Sequence, residues 1–228
     1  MSCGLYAYAI TRDRLADLAG PWLISYQGLA LVVAEVDLDR FTGIEADEPA
    51  EDGPLAVLVR EHDAVVRAVF QHEPVLPLRF GTVLDGADAA LRLLRARHEE
   101  ALAWLDRVEG RREWGVRVRA AAEPEPVDLD SVSGTGYLAL RRQRLTAAED
   151  ARRSAEAVHQ ALTRRAADST CRDHASDLLL EAAYLVDTEN EDDFHAEIGR
   201  LAGELGQPVE ITGPWPPYSF TNVEFADA

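Results

Sequence analysis

The sequence predicts an α+β protein of two domains. Three observations carry this reading. Strand-like and helix-like segments alternate along the 228 residues, and 47% of the residues are apolar, enough for packed cores. An acidic, Pro-bearing stretch without periodicity, AAEPEPVDLDSVS at 121–133, interrupts that pattern midway. The first domain therefore reads as 1–120, the linker as 121–133 and the second domain as 134–212. A Pro- and aromatic-rich tail follows over 213–228.

Taken in order, Leu5 to Ile10 alternates aromatic and aliphatic residues and reads as a strand. Thr11 is placed to N-cap a short helix through Leu18, which Gly20-Pro21 stops. Trp22–Tyr26 and Leu29–Val36 are strands joined by Gln27-Gly28, the spacing of a two-residue hairpin. The acidic segment Glu45 to Gly53 reads as an exposed loop. Pro54 opens a helix to about His72, with Leu55, Leu58, His62, Val65, Val66 and Val69 along one face. Val75–Val83 (VLPLRFGTV) is the next strand, with Pro77 suggesting an edge or a bulge. Asp85–Val108 is a helix striped by Leu91, Leu94, His98, Leu102 and Leu105, and Glu113–Val118 is a closing strand. This order predicts a modified ferredoxin-like antiparallel sheet with helices on one face. Beyond the linker come a long helix over 136–167 and one strand or two within Leu178–Val186. A helix opened by the capping-box form Thr188-Glu189-Asn190-Glu191 and a last strand at Pro208–Thr212 complete the second domain.

Charge narrows the function classes. Acids outnumber bases 41 to 23, a net charge of −18, which argues against a nucleic-acid partner. Every base is Arg, so Walker-type, Schiff-base and kinase-type lysines are excluded. The helix 136–167 carries seven Arg against three acids; it lies near the acidic residues 168–228, is merely solvated, or offers a surface to an acidic partner. Cys3 and Cys171 are too few and too far apart for a disulfide framework or a Cys-rich zinc site. No signal-peptide pattern opens the chain, and the longest apolar run, Leu29 to Ala34, is far short of the ~20 residues of a spanning helix. A soluble cytosolic protein without membrane insertion is expected.

No catalytic, cofactor or metal constellation is predicted. His62 and His98 fall on apolar helix stripes and read either as hydrogen-bonded core histidines or as groups facing a pocket. The acidic run 187–193 has Asp192 where a calcium loop needs Gly and Ile198 where it needs Glu. Gly134-Thr135-Gly136 lacks the third Gly of a dinucleotide fingerprint, and no GxSxG occurs. Two segments stand out as candidate partner-binding anchors. Arg79 lies beside Phe80 inside an apolar strand, where it must pair internally or point across a sheet edge. In the tail, Trp215, Pro216, Tyr218 and Phe220 combine aromatic anchors with stiff prolines, docking on the chain itself or on a partner.

These segments also carry a family likeness. GLYAYAI (4–10), EHDAVVRAV with PVLPLRFGTV (within 61–83), EWGVRV (113–118), SGTGYLALRR (133–142), AAYLVD (182–187) and TGPWPPYSF (212–220) occur in family order across almost the whole chain. On them the sequence resembles the gas vesicle protein F/L family (GvpF/GvpL). The resemblance implies two α+β domains, the first a modified ferredoxin-like fold, and a C-terminal tail. It further implies no enzymatic activity, no cofactor, and a role in gas vesicle assembly through binding the small hydrophobic shell protein, with other accessory proteins as further partners. The rival reading is a ligand-binding module or a haem or monooxygenase-type enzyme on a ferredoxin-like sheet, which would need His62 or His98 to face a cavity.

Overall fold

A computed structural model describes residues 3–15, 18–41, 53–120, 134–172 and 178–221. The expected loop at 45–52 and linker at 121–133 lie outside them. The chain divides into two units, one of residues 1–110 with 215–228, the other of residues 111–214.

In the first unit, β1 (Cys3–Arg12), β2 (Trp22–Tyr26), β3 (Leu29–Asp37), β4 (Val75–Pro77) and β5 (Val83–Leu84) form one sheet in the order β2-β3-β1-β4, with β5 also pairing β1. The β2–β3 hairpin forms as the sequence predicts. Gln27 and Gly28 both take positive φ, 46° and 85°, and the register closes on Tyr26 opposite Leu29. Such a turn matches the right-handed twist of its strands. The short helix expected after Thr11 does not form among the described residues, because β1 runs on to Arg12. The Thr11 hydroxyl donates to the Pro74 carbonyl at 2.9 Å instead of capping a helix.

Helix α1 (Pro54–Phe70) covers one face of this sheet, Val66 and Val69 packing with Ala9, Val32 and Val75. The alternate row, Ile10, Leu31 and Leu76, is equally buried, and α2 (Gly86–Ala96) and α3 (His98–Val108) lie against these strands. Helices therefore cover both faces, where the sequence suggests one. The single helix expected over 85–108 is broken at Arg97, whose φ of −112° and ψ of 14° leave the helical region. Likewise VLPLRFGTV is no continuous strand: Leu78 to Thr82 turn between β4 and β5, with Gly81 at φ 86° and Thr82 N–H donating to the Arg79 carbonyl.

The second unit comprises β6 (Arg111–Arg119), α4 (Gly134–Thr163), β7 (Asp168–Cys171), β8 (Leu178–Asp187), α5 (Glu191–Leu205) and β9 (Val209–Trp215), its sheet ordered β7-β8-β6-β9. This is the βαββαβ ferredoxin-like plan, and it differs from the sequence reading in where it starts. The strand expected to close the first sheet is β6, which pairs along its whole length with β8. The boundary between units thus falls at 110/111, ahead of the stretch 121–133. Local pattern alone cannot assign an amphipathic strand to one of two sheets. Val116 and Val118 face Ala155, Val158 and Leu162 of α4 and Phe194 and Ile198 of α5. On the opposite face, cross-strand pairs join Arg111 to Asp187 and Arg117 to Glu181. The capping-box residues Thr188–Asn190 form a 3-10 turn, and Asn190, the residue at the N-cap of α5, makes no side-chain capping bond.

Candidate functional site

Four of the sequence blocks named above meet in the first unit. Tyr6 and Tyr8 of β1 point toward His62 of α1 and toward Phe80 in the turn after β4. Phe41 completes the cluster, with ring centroids 4.8–6.4 Å apart. Hydrogen bonds fix its centre. The Gly81 N–H donates to the Tyr6 hydroxyl at 2.9 Å, and that hydroxyl lies 3.0 Å from His62 Nδ1. The Leu78 backbone lies near the same imidazole and favours its protonated form, against the effect of burial. Burial lowers the His62 pKa, opposed by the nearby Asp63 carboxylate, and burial pushes the Tyr6 hydroxyl up to about 12. The Tyr6 hydroxyl thereby ties the turn at Gly81 to His62 of α1.

The tail is seated on the same unit. Trp215 lies under the Arg67 guanidinium, 3.8 Å from its ring centroid, and Tyr218 donates to Asp63 Oδ1 at 2.8 Å. Asp63 Oδ2 accepts from Arg67, so one carboxylate and one guanidinium of α1 hold both aromatic residues. Pro216 and Pro217 are buried, Phe220 is 5% exposed, and Tyr218 packs on the cluster of Val66, Val69 and Val75. Of the six candidate anchors, the four tail residues are therefore used within the chain. Phe80 is half-buried in the aromatic cluster. Arg79 is exposed in the turn, without an ion pair among the described residues, so the internal pairing offered by the sequence does not form. The strand that was to bury it ends at Pro77.

His98 is half-buried and donates through Nε2 to the Gln27 carbonyl at 3.0 Å, bordering an open, polar cleft with Arg95, Glu99 and Glu100. In the second unit, His159 joins the buried Tyr184 hydroxyl (2.9 Å) to Cys171 Sγ (3.4 Å). Burial and the nearby Glu156 push the Cys171 thiol up, which disfavours the thiolate. Sequence spacing had no means of finding this line, since His159 and Cys171 share no motif. Among the described residues, no three His, Cys, Asp or Glu side chains gather as a metal site, and no helix is long and apolar enough to cross a membrane.

The basic helix divides in two. Its C-terminal half packs on the sheet, and the Glu197 pKa is lowered chiefly by its hydrogen bond from Arg200, with Arg165 and Arg164 adding to the effect. Its N-terminal half carries Arg141, Arg142 and Arg144 in solvent together with exposed Leu138 and Leu145, 64% and 59% accessible.

Comparison with known proteins agrees with this architecture. The chain is 32% identical to gas vesicle protein L of a Streptomyces species, over 97% of this chain and 94% of that one. It is 27% identical to gas vesicle protein F2 of Halobacterium salinarum, over 94% and 86% respectively. In fold it resembles the crystal structure of the gas vesicle protein GvpF from Anabaena, with a TM-score of 0.72, 19% identity and 97% of each chain covered. The family model described as gas vesicle synthesis protein GvpL/GvpF matches residues 4–222, almost the whole chain and parts of both units, and the chain belongs to the GvpL/GvpF family.

Proposed function

We propose that this gas vesicle protein is a non-enzymatic accessory factor of assembly. In this reading it binds the small hydrophobic shell protein in the cytoplasm and holds it soluble until it is built into the vesicle. The observation that carries the reading is the match to the gas vesicle synthesis protein family over residues 4–222. Physical chemistry supports it from two sides. A partner with exposed apolar surface aggregates unless that surface is covered. This chain presents Trp22, Val57, Val59, Leu138 and Leu145 to solvent on a molecule whose net charge of −18 keeps it soluble.

The rival enzyme reading gains nothing from the histidines. His62 is buried with Nδ1 beside the Tyr6 hydroxyl, and His98 bonds the Gln27 carbonyl at the border of a polar, open cleft. Co-expression tests the proposal: soluble shell protein should rise with this chain present, and deletion of its gene should reduce or abolish vesicles. Unchanged vesicle number and form in a deletion strain without paralogues would sink it.

A further inference from the structure

β2 is the edge strand of the first sheet, and its pairing shows which backbone groups are open. A two-residue turn makes its closing pair, Tyr26 with Leu29, a hydrogen-bonded one. Alternation then makes Ile24–Leu31 and Trp22–Val33 the other bonded pairs. Leu23 and Ser25 consequently aim their N–H and C=O groups away from β3, toward a position that no strand of the sheet occupies.

Edges of natural sheets are usually blunted by charge, proline or irregularity. The other edges here follow that rule: β4 carries Pro77 and gives way to a turn, β7 carries Asp168, and β9 carries Glu210 and Pro214. β2 is Trp-Leu-Ile-Ser-Tyr, with neither charge nor proline, and Trp22 is 42% exposed at its start. Two donors and two acceptors in strand register fit one kind of occupant, an extended backbone laid antiparallel or parallel along them. The Trp22, Leu23 and Ile24 side chains ask that its residues be apolar. A net charge of −18 per chain disfavours a second copy as that occupant.

We infer that the β2 edge is a docking site for an extended apolar strand of a partner protein, captured by strand addition at Leu23 and Ser25. The inference rests on the proposed function for the partner's identity, the hydrophobic shell protein. Ser25→Pro tests it in the full chain, because the Ser25 N–H points outward and its loss leaves the β2–β3 ladder whole. Ser25→Thr keeps that N–H and serves as the control. With shell protein co-expressed as the probe, Ser25→Pro should lower capture roughly tenfold at an unchanged circular dichroism spectrum, while Ser25→Thr captures normally. In the wild type, the Leu23 and Ser25 amides should exchange quickly in the free chain and slowly in the complex, with Ile24 slow in both. Full capture by a folded Ser25→Pro chain, or Leu23 and Ser25 amides left unprotected in the complex, overturns the edge assignment alone. Protection of those amides in a dimer of the free chain assigns the edge to a second copy and also overturns it. A wild-type chain that captures no shell protein overturns the functional reading, and this partner with it.

Discussion

The imidazole of His62 is buried with Nδ1 beside the Tyr6 hydroxyl, and burial lowers its pKa from the ordinary 6.5. The linkage sign follows from the two states. Below about pH 6.5 the unfolded chain takes up a proton at this position that the folded chain refuses. Stability from this group is therefore full above that pH and is lost as pH falls toward the folded pKa. His62→Gln, whose amide oxygen can still accept from Tyr6, should shrink the drop in melting temperature between about pH 7.5 and about pH 5.5. A drop equal to that of the wild type would show that His62 is not the titrating group. Trp215 belongs to the same scale. Trp215→Ala removes the ring under Arg67 and should cost the first unit about 1–2 kcal/mol, read as a lower melting temperature. Shell-protein binding by the variant should change only as far as the fold does. A normal melting temperature with weakened binding would instead make Trp215 a partner contact.

At the scale of elements, β9 packs closely on β6 at Gly213. Gly213 has φ 133°, and a Cβ there would meet the Glu113 carbonyl oxygen and the Trp114 ring, both at 2.9 Å. Gly213→Ala combines a disfavoured backbone with an unyielding neighbour and should cost about 2 kcal/mol or more, measured by denaturant unfolding. This contact also explains what was legible in the sequence. EWGVRV and TGPWPPYSF stand out as motifs, yet they lie a hundred residues apart, and only the fold reveals that one packs on the other. The β2–β3 hairpin and α1 were readable because turn residues and the 3.6-residue period are local. The break at Arg97 was not, because no Gly or Pro marks it; Pro77 and Gly81 do mark the turn after β4, but the apolar run around them also reads as one strand with a bulge. Arg79 illustrates the consequence: a strand reading makes its charge a problem to be solved by pairing, whereas a turn leaves it in water. The two halves of α4 show the same limit. Its apolar and small residues continue from Val158 back to Leu138, but only those from Ala155 onward find a core. Amides over 136–150 should therefore exchange faster than those over 155–163.

For the whole molecule, the consequence of the topology is that the chain passes from the first unit to the second at 110/111 and returns at 214/215. The second unit is one uninterrupted stretch carrying all of its own strands, helices and core residues, so residues 111–214 expressed alone should fold and melt cooperatively. The first unit is different, because Phe220 and Tyr218 complete its packing from the far end of the chain. Truncation after Pro214 should lower the melting temperature of the first unit and leave that of the second in place. Cleavage within 121–133 separates this behaviour from a linker between domains. That stretch joins β6 to α4, and both belong to the second unit, where β6 lies between β8 and β9 at the middle of the sheet. Once cut there, the two pieces share a hydrogen-bonded ladder nine residues long and a common core, so they should co-elute as one native species. They should part only in denaturant, since separation costs the whole β6–β8 pairing and the burial of Val116 and Val118. Size-exclusion chromatography of the nicked protein, with and without urea, decides it: two folded pieces that separate in native buffer would return the boundary to 121–133.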